Sequence, residues 1–223
     1  MVEPKEKTVV AVFDFDGTIS YADSLLPFLR HVAGFFGFWL GMFLLAPPLS
    51  LYAFGAMANW QAKEKFMGKF LRRKKVDTLE DAAADFVKRI LPALINPLAM
   101  ERVKWHQGQG HRMLLLSASP ELYLRHWASE NGFEKVLGTR LEEDDGGLTG
   151  KIDGRNCHGE EKLIRLRKEL GDLGQYEIYS YGDSRADKVL LNNSDHGAYR
   201  SFEADSKLGY RVRGLFLFIR ALL

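Results

Sequence analysis

VVAVFDFDGT, residues 9–18, carries the reading of this chain. Five apolar residues lead into Asp14, Asp16 follows after one phenylalanine, and the chain turns at Gly17. An apolar run without a polar break is the pattern of a strand buried on both faces of a parallel sheet. Two carboxylates at the end of such a strand sit where charge is costly unless something offsets it.

Working outward, the pattern recurs twice. Residues 112–116 end at SASP and residues 177–181 end at GDS. Helical segments separate the strands: residues 120–131 close at Gly132, and residues 160–170 close at Gly171. Ser119 before Pro120 reads as an N-cap and first-turn pair. Strand, polar turn and helix in repetition predict an α/β fold, a doubly wound Rossmann-like parallel sheet with ligands at the carboxyl ends of its strands. Residues 148–152, after the turn-rich EEDDGG, predict a short hairpin. Residues 25–97 break the alternation and read as a helical cap inserted into a core made of residues 1–24 and 98–223. The tail, residues 214–223, reads as an apolar helix or strand.

The chain of 223 residues carries a net charge of +2, too small to argue for nucleic acid. Its single cysteine, Cys157, forms no internal disulfide and suits a reducing compartment. The polar start, residues 1–7, predicts no signal peptide. His106, His111, His126 and His158 lack metal-ligand spacing and read as solvated or capping residues.

Two residues apart at a strand end, Asp14 and Asp16 share a face, but the chain turns there, so they need not stay parallel and can take different roles. Close carboxylates raise one another's pKa unless a cation intervenes. Asp183, at the end of another strand, adds the third acid that a hard cation such as Mg2+ requires. Ser117 is the first polar residue after its apolar run and is favoured over Ser119 as a phosphate binder. It offers a hydroxyl and turn N–H groups, and Gly17 a tight turn. Lys162, near the start of a helix, offers positive charge, unless it is only a solvated helix residue. Together these suit a phosphoryl group, whose equatorial oxygens carry charge through the transition state. The reaction implied is attack by Asp14 to give an aspartyl-phosphate, with Asp16 protonating the departing oxygen and then activating water.

These residues resemble the haloacid dehalogenase superfamily of phosphatases. DFDGT matches its first motif, Ser117 in LLLSAS the second, Lys162 in GEEK the third, and GDSRAD the fourth. The resemblance implies a Mg2+ cofactor held by Asp14, Asp183 and the main-chain carbonyl of Asp16. It also makes Asp187 a supporting acid, although an acid in a first helical turn also stabilises the helix dipole. The insert resembles the cap of the phosphoserine-phosphatase-like branch. That branch usually has Glu nine residues after the nucleophile, where this chain has Asp23, and its second motif reads SGG rather than SAS.

Residues 31–62 contain no Asp, Glu, Lys or Arg. Two apolar segments, 35–46 and 49–58, flank Pro47 and Pro48, which predict the bend of a hairpin. One membrane span is excluded, because it would part Asp14 from Asp183. Two spans need about 20 residues each. A re-entrant or interfacial hairpin remains, with Arg30, Lys63, Lys65 and residues 72–75 meeting anionic headgroups, or an apolar cap folded around a greasy substrate. The pattern is similar to bacterial phosphatidylglycerophosphate phosphatases of the C type. It implies a phospholipid or other amphiphilic phosphate ester, acted on in the cytoplasm at the inner face of the cytoplasmic membrane. The alternatives are a soluble small-molecule phosphatase resembling phosphoserine phosphatase and a membrane-bound, non-catalytic binding module.

Overall fold

The structure is a computed structural model that describes residues 7–203 and 207–222. Residues 1–6, most of the polar start, and residue 223 lie outside the described residues. In chain order the elements are β1 (Thr8–Phe13), α1 (Leu25–Leu44), α2 (Ala46–Ala53), α3 (Asn59–Phe70), α4 (Val76–Arg89), α5 (Pro97–Gly108), β2 (Arg112–Pro120) and α6 (Glu121–Glu130). There follow β3 (Lys135–Thr139), β4 (Leu141–Asp144), β5 (Gly147–Ile152), α7 (Glu160–Leu170), β6 (Tyr176–Gly182), α8 (Lys188–Leu191), β7 (His196–Tyr199) and α9 (Lys207–Leu222).

Five strands form a parallel sheet in the order β3-β2-β1-β6-β7, which confirms the expected α/β fold and puts β1 at the centre. Its side chains alternate between two cores. Val10 and Val12 pack with Leu114, Leu116 and Ile178 against Leu166 and Leu170 of α7. Ala11 and Phe13 face the other way, where Phe13 stacks on Tyr181 at 4.6 Å and meets Phe133 edge-on. Burial on both faces is why the strand is apolar from Val9 to Phe13, after the polar Thr8 at its exposed start. Two short strands, β3 and β7, escaped the sequence reading, because KVLGT and HGAY lack a sustained apolar run.

The expected hairpin is β4–β5, and α7 occupies the expected span. Two local expectations are corrected. β2 runs through to Pro120, which is the N-cap residue of α6, so Ser119 is not a cap. His106 is buried, with Nδ1 2.7 Å from His111 Nδ1 and Nε2 2.9 Å from Tyr181 Oη, and is neither solvated nor capping.

Helices α1–α4 fill the insert. α4 buries Leu79, Ala83, Phe86 and Val87, the stripe of an amphipathic helix. Phe28 of α1 touches Phe86 and Tyr123, so the insert and the sheet share one continuous apolar core. Pro47 and Pro48 lie in the first turn of α2, where a missing N–H costs nothing, and the chain bends just before them at Leu45. α1 is the one helix among the described residues long and apolar enough to cross a membrane. Gly34 (φ 70°, ψ 169°) breaks it inside. Each half is about ten residues, roughly 15 Å, against a hydrocarbon layer of about 30 Å.

Candidate active site

The carboxyl ends of β1, β2 and β6 converge with the start of α7. Asp14 ends β1, its N–H donating to Tyr181 O at 3.0 Å. Lys162, buried at the start of α7, donates from Nζ to Asp14 Oδ1 at 2.6 Å and to Asp187 Oδ1 at 2.5 Å. It is therefore not a solvated helix residue. Asp187 stands in the short turn after β6, where Oδ2 also accepts from Ser184 N (2.9 Å) and Ser184 Oγ (2.5 Å). Carboxylate oxygens of Asp14, Asp183 and Asp187 all lie within 4.8 Å of one another.

Two glycines make this crowding feasible. Gly17 turns the chain at φ +82°, and a Cβ there would stand 2.5 Å from Asp183 Oδ2. A Cβ on Gly182 would stand 2.5 Å from Asp187 Cβ. Side chains at either position would push an acid out of the cluster.

The charges do not balance. Burial opposes the Lys162 ammonium, but Asp14 and Asp187 more than offset it and hold the lysine charged. One ammonium cannot neutralise both partners. Asp187 is pulled below the usual carboxylate range: burial raises it, and Lys162 and the Ser184 donors outweigh that. Asp14 carries the deficit, pushed up to about 8 by burial against the pull of Lys162. Asp183 is pushed up to about 6 by burial and then by Asp187. An all-oxygen set with surplus negative charge fits a hard divalent cation such as Mg2+.

Asp16 faces elsewhere. Its Oδ1 accepts from Ser24 N (2.7 Å) and Ser24 Oγ (2.6 Å), and its Oδ2 from Ser119 Oγ (2.5 Å). Ser24 Oγ in turn lies 2.9 Å from Tyr123 Oη. The Asp16 side chain thus stays out of the three-acid cluster, leaving only its main chain for the metal role that the resemblance implies. Ser117 is buried, and its Oγ accepts from Ser119 N at 3.0 Å. Asp23 is exposed and accepts from Leu26 N at 3.1 Å. Its carboxyl is nonetheless pushed up to about 6, first by the protein packed around the headgroup and then by Asp16.

The sequence reading missed Ser24 and Ser119 as partners of Asp16, and Tyr123 as the partner of Ser24. It also set Lys63 at a lipid headgroup, whereas Lys63 of α3 turns inward. Its Nζ donates to Ala118 O at 2.7 Å and Asn156 Oδ1 at 3.3 Å. Burial pushes that ammonium down, with Asp23 and Asp16 opposing. Residues 72–75 are the turn between α3 and α4 and pair with the hairpin, Arg73 N donating to Leu148 O at 2.8 Å.

Comparison with known proteins agrees with this geometry. Residues 11–192 match the haloacid dehalogenase-like hydrolase family. The chain is 33% identical over 202 residues to Protein CicA of Caulobacter vibrioides, covering 90% of this chain and 89% of that protein. It is 25% identical over 195 residues to phosphoserine phosphatase SerB1 of Mycobacterium tuberculosis, covering 85% of this chain and 63% of that protein. A solved protein of unknown function from Bordetella pertussis Tohama I superposes with a TM-score of 0.75 at 25% identity, covering 84% of this chain and 87% of that one. With the fold, the motif order and the family match in agreement, this chain belongs to the haloacid dehalogenase-like hydrolases.

Proposed function

We propose that the chain is a Mg2+-dependent phosphomonoesterase that works through an aspartyl-phosphate on Asp14 and acts on a lipid or amphiphilic phosphate at the inner face of the cytoplasmic membrane. One observation carries the chemistry: Asp14 shares Lys162 with Asp187 and an acidic cluster with Asp183 and Asp187, while Asp16, two residues on, is held apart by serines. The two aspartates therefore have different environments, as two different roles require.

In this reading an Asp14 oxygen forms a bond to phosphorus as the ester P–O bond breaks. Asp16 gives its proton to the departing oxygen, then takes one from the water that attacks phosphorus and frees Asp14. Serine hydroxyls both donate and accept, so Ser119 and Ser24 hold Asp16 in place in either protonation state. Lys162, Ser117 and the turn at Gly17 bind the phosphoryl oxygens. Asp14 and Asp183, with Asp187 behind them, hold the cation, which when bound supplies positive charge to offset the carboxylates and the phosphoryl oxygens. Residues 25–97 serve as a cap over a core of residues 1–24 and 98–223, with Lys63 and Asp23 facing the leaving group.

An amphiphilic leaving group is supported by a groove of about 520 Å³ beside Asn156, the partner of Lys63. Trp60, Ile152 and Ile164 form its apolar part, and Glu64, Arg155, Asn156, His158, Glu160 and Glu161 its polar and charged part. The similarity to SerB1 supports a second reading, a small phosphorylated amino acid. Hydrolysis of an aryl phosphate, lost on Asp14→Asn, tests the chemistry. Turnover of phosphatidylglycerophosphate against phosphoserine decides between the substrates, and preference for phosphoserine refutes the lipid reading.

A further inference from the structure

Among the described residues, many of the exposed large apolar side chains fall on α1 and α9, with Leu51 and Tyr52 on α2 between them in the sequence. On α1, Phe36 (86% exposed), Leu40, Phe43 and Leu44 recur at helical spacing after the Gly34 break. On α9, Val212, Leu215, Phe216 and Ile219 stand at i, i+3, i+4 and i+7, a single outward stripe. The opposite face of α9 holds the helix in place: Leu217, Phe218 and Ala221 pack on the core. A Cβ on Gly214 would stand 2.8 Å from Tyr21 O, and Arg213 lies over the Tyr21 ring. Arg30 Nε donates to Leu222 O at 3.2 Å, which ties α9 to the first half of α1.

The three helices α1, α2 and α9 carry no acid of their own, and the Asp85 carboxylate beside α1 is paired with His31 and Arg89. No Asp or Glu occurs from residue 24 to residue 63 or anywhere in α9, while Arg30, Arg213 and Arg220 are present. We infer that α9 joins α1 and α2 in a two-part docking face for an anionic lipid bilayer. The apolar stripes enter the interfacial layer and the arginines meet lipid phosphates. A second copy of the chain is a poorer occupant, because α1, α2 and α9 hold no carboxylate that could meet these arginines across a two-fold interface. This inference rests on the lipid reading of the active site and extends it beyond residues 31–62. Since Tyr21 lies in the loop between Asp16 and Asp23, docking through α9 sets that loop at the bilayer surface.

Co-sedimentation with vesicles tests the inference. The full chain, Leu215→Ser/Phe216→Ser and Phe36→Ser/Phe43→Ser are each mixed with phosphatidylcholine vesicles, with and without phosphatidylglycerol. Aryl phosphate hydrolysis without vesicles is measured alongside. The unaltered chain should sediment with the anionic vesicles and less with the neutral ones. Each double variant should lose roughly tenfold or more in partitioning and keep its aryl phosphate activity, which shows that it is folded. An α9 variant that sediments like the unaltered chain overturns the inference, as does an unaltered chain that stays in the supernatant. A dimer that dissociates on Leu215→Ser/Phe216→Ser overturns it too, making the face an interface between copies. Failure of the chemical reading shows separately, as an unaltered chain that does not hydrolyse aryl phosphate.

Discussion

Replacing Lys162 with methionine keeps the length of the side chain and removes its charge, which isolates what the ammonium contributes. That ammonium holds Asp14 at 2.6 Å and Asp187 at 2.5 Å, with all three residues buried. Removing one partner of a buried ion pair costs about 3–5 kcal/mol, because the remaining charge is left uncompensated. In a chain of this size each kcal/mol moves Tm by about 2–4 °C, so Lys162→Met should melt roughly 6–20 °C lower. The deficit should depend on pH with a definite sign. Without the opposing ammonium, Asp14 rises further above its unfolded value, so the folded variant binds a proton that the unfolded chain does not. Its stability, relative to the unaltered protein, therefore recovers as pH falls and is worst at alkaline pH. Adding Asp187→Asn removes one of the stranded acids and should return part of the lost Tm. It should not return turnover, which stays down by about 10²–10³ for want of the phosphoryl contact. Thermal melts in metal-free buffer across pH, paired with aryl phosphate kinetics, measure both. A single variant that melts with the unaltered protein, or a double variant no more stable than the single, refutes the charge-deficit account.

Three further expectations follow from the same geometry. Gly17→Ala sets a methyl 2.5 Å from Asp183 Oδ2 at φ +82°, and calorimetric titration with Mg2+ should show affinity lower by about 10–100-fold; unchanged affinity would separate Asp183 from the cation. Ser119→Ala leaves Asp16 Oδ2 without its donor, and losing a charge-assisted bond of about 1.5–3 kcal/mol should lower kcat by at least roughly tenfold, with KM little changed. His106 has its pKa lowered from 6.5 to about 4 by burial, so the unfolded chain takes up a proton before the folded one does. Stability should fall as pH drops through that window, by on the order of 2 kcal/mol, and His106→Gln should flatten the slope in denaturant titrations.

What could be read from the sequence was what the backbone imposes locally. A strand buried on both faces must be apolar throughout, so β1 and the ends of β2 and β6 were legible, and with them Asp14, Asp183 and Ser117. β7 was not, because an edge strand buries little and its four residues carry no apolar period. Ser119 shows how local signals mislead. Next to Pro120 it has the composition of a helix cap, yet β2 continues through it and brings its hydroxyl to Asp16, 103 residues earlier in the chain.

Lys63 shows the limit from the other side. Read along the chain it borders an uncharged run and belongs with the basic residues that follow, and only the seating of α3 distinguishes it from them. Once α3 packs near β5, its neighbour Lys65 stays exposed, while Lys63 crosses to the Ala118 carbonyl at the end of β2. That places a cation from the insert among acids of the core, near Asp16 and Asp23. The two parts of the chain are thus joined by charge at the site as well as by the shared core around Phe28 and Tyr123. An insert held in this way cannot swing open as a rigid lid without separating Lys63 from Ala118 and parting that core.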